Sequence, residues 1–187
     1  PEEIKTLVTR YFAKIPARPT PAVKHPKELD EPGERSLTLY LKTQLPSVMM
    51  GFNVPSLAST ANATEVHALR LISALLDGGS SSRIPTQLVR EQELVAGASA
   101  WYNAFSRGDS LFVLSATPNV QKGKNITQTE AGLWQQLKQL QDAAPSSAEL
   151  ARVRAQVVAA EVYAQDSITS QANSIGQLES IGLSWQI

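Results

Sequence analysis

Apolar residues recur at helical spacing in the opening stretch "PEEIKTLVTRYFAKI". Ile4, Leu7, Val8, Tyr11, Phe12 and Ile15 share one side of a 3.6-residue turn, so a helix is expected over residues 1–15. Pro1 suits the first turn, and Glu2 and Glu3 suit its positive end. The periodicity then stops. "PARPTPAVKHPKELDEPGE" is rich in proline and reads as an extended linker over residues 16–34. The first helix therefore belongs to a different packing unit from the rest of the chain.

Beyond the linker the period changes to two. "RSLTLYLK" (35–42) places Leu37, Leu39 and Leu41 on one face of an expected strand, and "SVMMGFNVP" (47–55) is a second strand candidate. "NATEVHALRLISALLDGG" is a long helix that Asn62 or Thr64 can cap and that Gly78 and Gly79 stop. "SSRIPTQLVREQ" is a shorter helix, with Pro85 tolerable only in its first turn. "LVAGASAWYNAF" and "SLFVLSATP" form a strand pair around a turn at Arg107, Gly108 and Asp109. "NITQTEAGLWQQLKQLQD" is helical, with Leu133, Leu137 and Leu140 on one stripe beside Trp134. "SSAELARVRAQVVAAEVYAQ" is a last helix, capped by Ser146 or Ser147, with Glu149 in the capping-box position, and it is expected to run on towards Leu178. Two pairs of strands separated by helices give an α+β fold, a mainly antiparallel sheet packed on helices in two layers.

Composition narrows the function. The 187 residues carry 17 basic and 17 acidic side chains, so nothing electrostatic points to nucleic acid or an anionic membrane. No apolar run approaches the roughly 20 residues that span a bilayer. The absence of cysteine excludes thiolate metal sites, disulfides and cysteine nucleophiles. The start on Pro1 and the uncapped apolar ending "IGLSWQI" raise the expectation of a piece of something longer.

The search for chemistry finds little. His25 sits in the linker and His67 in a helix. Neither H-E-x-x-H nor H-x-x-E-H occurs, and Glu65 is two residues from His67, on another face. "DGGSSSR" between two helices offers backbone N–H groups, but no strand leads into it and the phosphate-loop spacing is missing. It reads as a C-cap glycine followed by the N-cap of the next helix. Ser80, Ser81 and Ser82 have no histidine base nearby and no G-x-S-x-G frame. A chain of this size without a catalytic set is a binding module or half of a site.

"LLDGGSSSRIPTQLVREQELVAGASAWYNAFSRGDSLFVLSATP" resembles the C-terminal half of the insulinase/pitrilysin-type zinc peptidases, a group that includes the mitochondrial processing peptidases and many bacterial relatives. "DGGSSSR", "LVRE" and "LSATP" carry the match, and "SSAELARVRAQVVAAEVYAQDS" with "GQLESIGLSW" resembles the long helix pair that comes next in those enzymes. The opening helix resembles the last helix of the preceding N-terminal domain. The resemblance implies three segments: residues 1–15 ending that domain, the linker 16–34, and an inactive peptidase-like C-terminal domain over 35–187, truncated at its C-terminus.

In such enzymes two homologous domains close on each other, and the first carries H-x-x-E-H with its zinc. The resemblance therefore implies no cofactor in this chain and zinc in an intact parent. The chain would close the proteolytic chamber and help bind a peptide substrate. Its own N-terminal catalytic domain would be its main partner. In many members the arginine of "VRE" and a tyrosine seven positions later contact substrate. Arg90 holds the arginine position, and Gly97 stands where the tyrosine would be. That gap fits a two-subunit arrangement in which a homologous second subunit carries the pair. An alternative is a catalytically dead peptidase-like scaffold in a protein assembly, and a weaker one a free-standing module that adds a peptide as a strand. The bacterial character of the resemblance implies a periplasmic rather than cytoplasmic location.

Overall fold

The computed structural model describes residues 1–16, 18 and 33–186. Most of the proline-rich linker, with His25, lies outside these. Helix α1 spans Glu2–Phe12 as the periodicity requires, but none of its residues is buried. Its stripe of Ile4, Leu7, Val8, Tyr11, Phe12 and the adjoining Ile15 faces outward.

The centre is a three-stranded antiparallel sheet in the order β1 (Val48–Val54), β3 (Ser110–Pro118), β2 (Val95–Tyr102). Strand β3 pairs on both sides: Phe52 with Phe112 and Met50 with Leu114 on one flank, Tyr102 with Phe112 and Ala100 with Leu114 on the other. Alternate residues therefore align into rows across the strands. The row positions turned to the helices are Phe112, Leu114 and Ala116 in the centre, with Ala98, Ala100 and Tyr102 beside them. They meet Leu76 of α2 (Ala63–Asp77), Leu88, and Leu133 of α3 (Ile126–Asp142) in one apolar cluster. The resulting α+β sandwich has its helices on one face, as the strand and helix order anticipated.

Local chemistry explains most boundaries. Helix α2 stops at Gly78, and the next residue, Gly79, has φ +139°, which an L side chain rarely adopts. Asn125 and Gln128 exchange side-chain and backbone bonds in a capping box that starts α3. The Ser146 hydroxyl accepts from the Glu149 amide to start α4 (Ser147–Ala164). Gly132 lets α3 come close to the core: a Cβ there would fall 2.4 Å from Leu94 Cδ2.

Two expectations are corrected. "RSLTLYLK" is not a strand: residues 33–47 have no regular structure, and Leu37, Leu39 and Leu41 are exposed. Alternation supplies a face, but a strand also needs a ladder partner, and β1 does not receive this one. The last helix does not run through to Leu178 either. It ends at Ala164, and Ser167 caps a separate helix α5 (Ile168–Ser180), so the chain turns at Gln165–Ser167. Serine and aspartate at 166–167 compete for backbone bonds and favour a new cap over a continuing helix.

Candidate functional site

The stretch around Arg90 begins at the Gly/Ser loop. Residues Ile84–Glu91 wind as a π-helix with Pro85 in the first turn, and the Gln92 amide bonds back five residues to the Gln87 carbonyl at 3.0 Å. Such widened turns concentrate at functional sites. Glu93 then takes φ +45° to swing the chain into β2. Leu88 at the centre of the π-helix is fully buried, which fixes this element against the sheet.

Three arginines hold the loop "DGGSSSR". Arg90 is exposed, and its Nη1 donates to the Ser80 carbonyl at 2.6 Å while Nη2 donates to the Thr86 hydroxyl at 2.7 Å. Arg152 of α4 donates to the Ser81 hydroxyl at 3.1 Å. Arg83 makes a two-pronged pair with Glu149, Nε to Oε1 at 2.9 Å and Nη2 to Oε2 at 2.8 Å, with both side chains largely shielded. Each partner favours the other's charged form: the Arg83 hydrogen bonds hold the Glu149 carboxyl below its ordinary value against the opposing effect of burial, and the Arg83 guanidinium is raised. The sequence marked Glu149 only as a capping residue; its partnership with Arg83, 66 positions away, had no local signal.

Beside this loop lies an open cleft of about 490 Å³ of mixed character, bounded by Ser82, Arg83, Thr86, Gln87, Gln139 and Ala143. Behind it, buried Gln136 donates from Nε2 to Gln87 Oε1 at 2.9 Å. Arg90 and Arg152 tie down the Ser80 carbonyl and the Ser81 hydroxyl, and the Ser82 hydroxyl bonds back to the Gly79 carbonyl, so the loop is built as a tethered helix–helix connection, as its glycine and serines implied.

Gly97, seven residues on from Arg90, is exposed on β2 opposite Thr117, just after a bulge, and a Cβ there would meet nothing within 4 Å. A larger side chain fits, but this chain has none. Tyr102 does not take its place. It lies on the helix side of the sheet, donates to the Pro55 carbonyl, and stacks on Phe112 at 6.4 Å. Burial raises its pKa further from use as an acid at neutral pH.

The opposite face of the sheet is open and mixed. Met49, Trp101 and Leu111 are exposed there, beside Ser99 and Ser115, whose hydroxyls lie 3.1 Å apart. The two edges differ. On the outer edge of β2, the Ala100 amide donates to Asp77 Oδ2 at 3.2 Å and its carbonyl accepts from the Ser73 hydroxyl at 3.1 Å. Two α2 side chains one turn apart thus occupy both edge bonds of Ala100, which an added strand would need at that point. Strand β1 has no such cover among the described residues.

Among the described residues no three His, Asp or Glu side chains come together. His67 is exposed on α2 and shares a small pocket with Arg70 and Arg154, whose charges oppose a dication. Ser80, Ser81 and Ser82 have no histidine beside them in that loop.

The family model for the peptidase M16 inactive domain matches residues 1–157. The chain belongs to this family. Its structure is similar to that of a protease from Helicobacter pylori, with a TM-score of 0.79 and 23% identity over 99% of this chain and 43% of that one. It is also similar to a candidate zinc protease from Bordetella pertussis Tohama I, with a TM-score of 0.61 and 20% identity over 75% of this chain and 73% of that one. At these identities the two structures establish the shared fold. The chain spans less than half the length of the Helicobacter protein. No curated protein matches it. No described helix is long and apolar enough to cross a membrane.

Proposed function

We propose that this chain is the non-catalytic half of a zinc metallopeptidase. The half carrying the zinc and its H-x-x-E-H motif would lie in a preceding domain, packed over the apolar stripe of α1. The observation that carries the reading is the inactive-domain family match across residues 1–157. The open sheet face supports it: Met49, Trp101 and Leu111 offer apolar contact to side chains of an unfolded peptide, and Ser99 and Ser115 offer hydrogen bonds. The closed outer edge of β2 argues that a peptide lies across this face rather than joining the sheet at Ala100.

Arg90 would have a secondary part. Two of its five N–H donors are spent on Ser80 and Thr86, leaving three for a peptide carbonyl. With Gly97 in place of a phenol, any carbonyl polarisation must come from elsewhere, which favours a homologous second subunit. A periplasmic location for the parent is part of this proposal and rests on the bacterial character of the sequence resemblance.

The test uses the full-length parent. Its coding sequence should contain H-x-x-E-H upstream of Pro1. The purified protein should hold one zinc per chain or per pair of subunits and cleave unfolded peptides. Trp101→Ala should raise KM several-fold with zinc content unchanged, and Arg90→Ala should do so more weakly. A degenerate upstream motif with a stable, inactive multiprotein assembly would favour the scaffold reading instead.

A further inference from the structure

The segment "RSLTLYLK" has an unfilled counterpart in the fold. Leu37, Leu39 and Leu41 alternate like one side of a strand and stand 81%, 66% and 72% exposed. A few residues later begins β1, whose outer edge is unpaired among the described residues. The helix-side residues of β1, namely Val48, Met50, Phe52 and Val54, are only half-buried, unlike their counterparts in β3. The helix layer reaches past them: Trp134 of α3 meets Phe52 edge-on at 5.6 Å and remains 45% exposed. The sheet is thus one strand narrower than the helices above it.

We propose that Arg35–Lys42 is a strap that closes onto the free edge of β1 as an antiparallel fourth strand. The side-chain pattern selects the register. The leucines must face the helices, which places Leu41 opposite Met50, Leu39 opposite Phe52 beside Trp134, and Leu37 opposite Val54. The connection is then a short loop around Gln44–Ser47, a common hairpin length. In this register Tyr40 falls opposite Gly51 on the open face, where a Cβ on Gly51 would meet only Leu111, at 3.9 Å. A ring over a strand glycine fills that gap. Shifted by two residues either way the leucines still face inward, but Thr38 or Lys42 then falls opposite Gly51 and no ring covers the glycine.

Closing breaks the turn bond from the Thr43 amide to the Leu41 carbonyl and gains a ladder in exchange. It also settles the two edges: β2 is blocked by Ser73 and Asp77, and β1 by the chain's own strap, so neither is left to template another chain. The strap is independent of the peptidase reading.

The chain has no cysteine, so an engineered pair is unambiguous. Thr38 and Asn53 become direct partners in the proposed register, both exposed and turned from the helices. Under mild oxidation, Thr38→Cys with Asn53→Cys should form an intramolecular disulfide at least about ten times faster than the out-of-register pair Thr38→Cys with Met49→Cys, because only the first brings the two Cα atoms within bridging distance. Circular dichroism first establishes that both variants fold. Equal rates, no closure, or disulfide-linked dimers alone would overturn the proposal; the last would place a second copy's segment on the edge.

Discussion

Asp77, the last residue of α2, accepts the backbone amide of Ala100 at 3.2 Å, so the helix itself seals the outer edge of β2. Ser73, one turn earlier, takes the carbonyl of the same residue. A hydrogen bond to a charged group contributes more than a neutral one, and Asp77→Ala should cost roughly 1–3 kcal/mol in urea unfolding. The double variant Ser73→Ala/Asp77→Ala should also expose the edge and raise self-association in size-exclusion chromatography. A double variant that stays as monomeric as the parent chain would mean the edge needs no such seal.

Arg83 and Glu149 join the start of the π-helix to the start of α4. Glu149 has its pKa lowered in the folded state, chiefly by the Arg83 hydrogen bonds, so its contribution is present above the ordinary carboxyl value of 4.5 and is lost as pH falls through the depressed folded value. Glu149→Gln should cost about 1 kcal/mol at pH 7, a modest figure because the pair keeps some solvent contact. The gap between the two proteins should close on acidification below pH 4.5. A gap that persists unchanged into strong acid would assign the loss to packing.

Glu93 holds φ +45°, a region that costs an L residue about 1–2 kcal/mol relative to glycine. Its ion pair with Lys122 at 3.1 Å is solvent-exposed on both sides. Such a pair contributes a few tenths of a kcal/mol. After the extra entropy of glycine in the unfolded chain, Glu93→Gly should stabilise the protein by about 0.5–1 kcal/mol. A fall in Tm would mean that the ion pair or the unfolded-state entropy outweighs the strain.

Leu133 is fully buried against the sheet, and Leu137, one turn further along α3, is only partly so. Leu133→Ala should cost roughly 2–5 kcal/mol in urea unfolding, and Leu137→Ala about half of that. The order should reverse only if the strap covers Leu137 in solution more fully than the described contacts show.

Much of the fold was legible in the residues because it rests on local rules. The alternation in "LVAGASAWYNAF" and "SLFVLSATP" specified the β2–β3 hairpin, and Gly78, Gly79 and Ser146 marked helix ends through backbone geometry and capping. The order of "DGGSSSR", "LVRE" and "LSATP" pointed to the peptidase fold, and the family match bears that out. Arg90 was legible as a position, but its bonds to Ser80 and Thr86 were not, since a side chain's partner depends on where the loop ahead of it folds.

The sequence by itself determined which segments have a helix period, which a strand period, and where serine and glycine punctuate them. Tertiary structure alone decided which strand finds a partner. It denied a ladder to Leu37, Leu39 and Leu41, divided α4 from α5, and set Asp77 against Ala100 and Arg83 against Glu149. Periodicity records only which face of a segment is apolar; pairing and charge partnership depend on surfaces brought together from distant parts of the chain, and no local pattern encodes that distance.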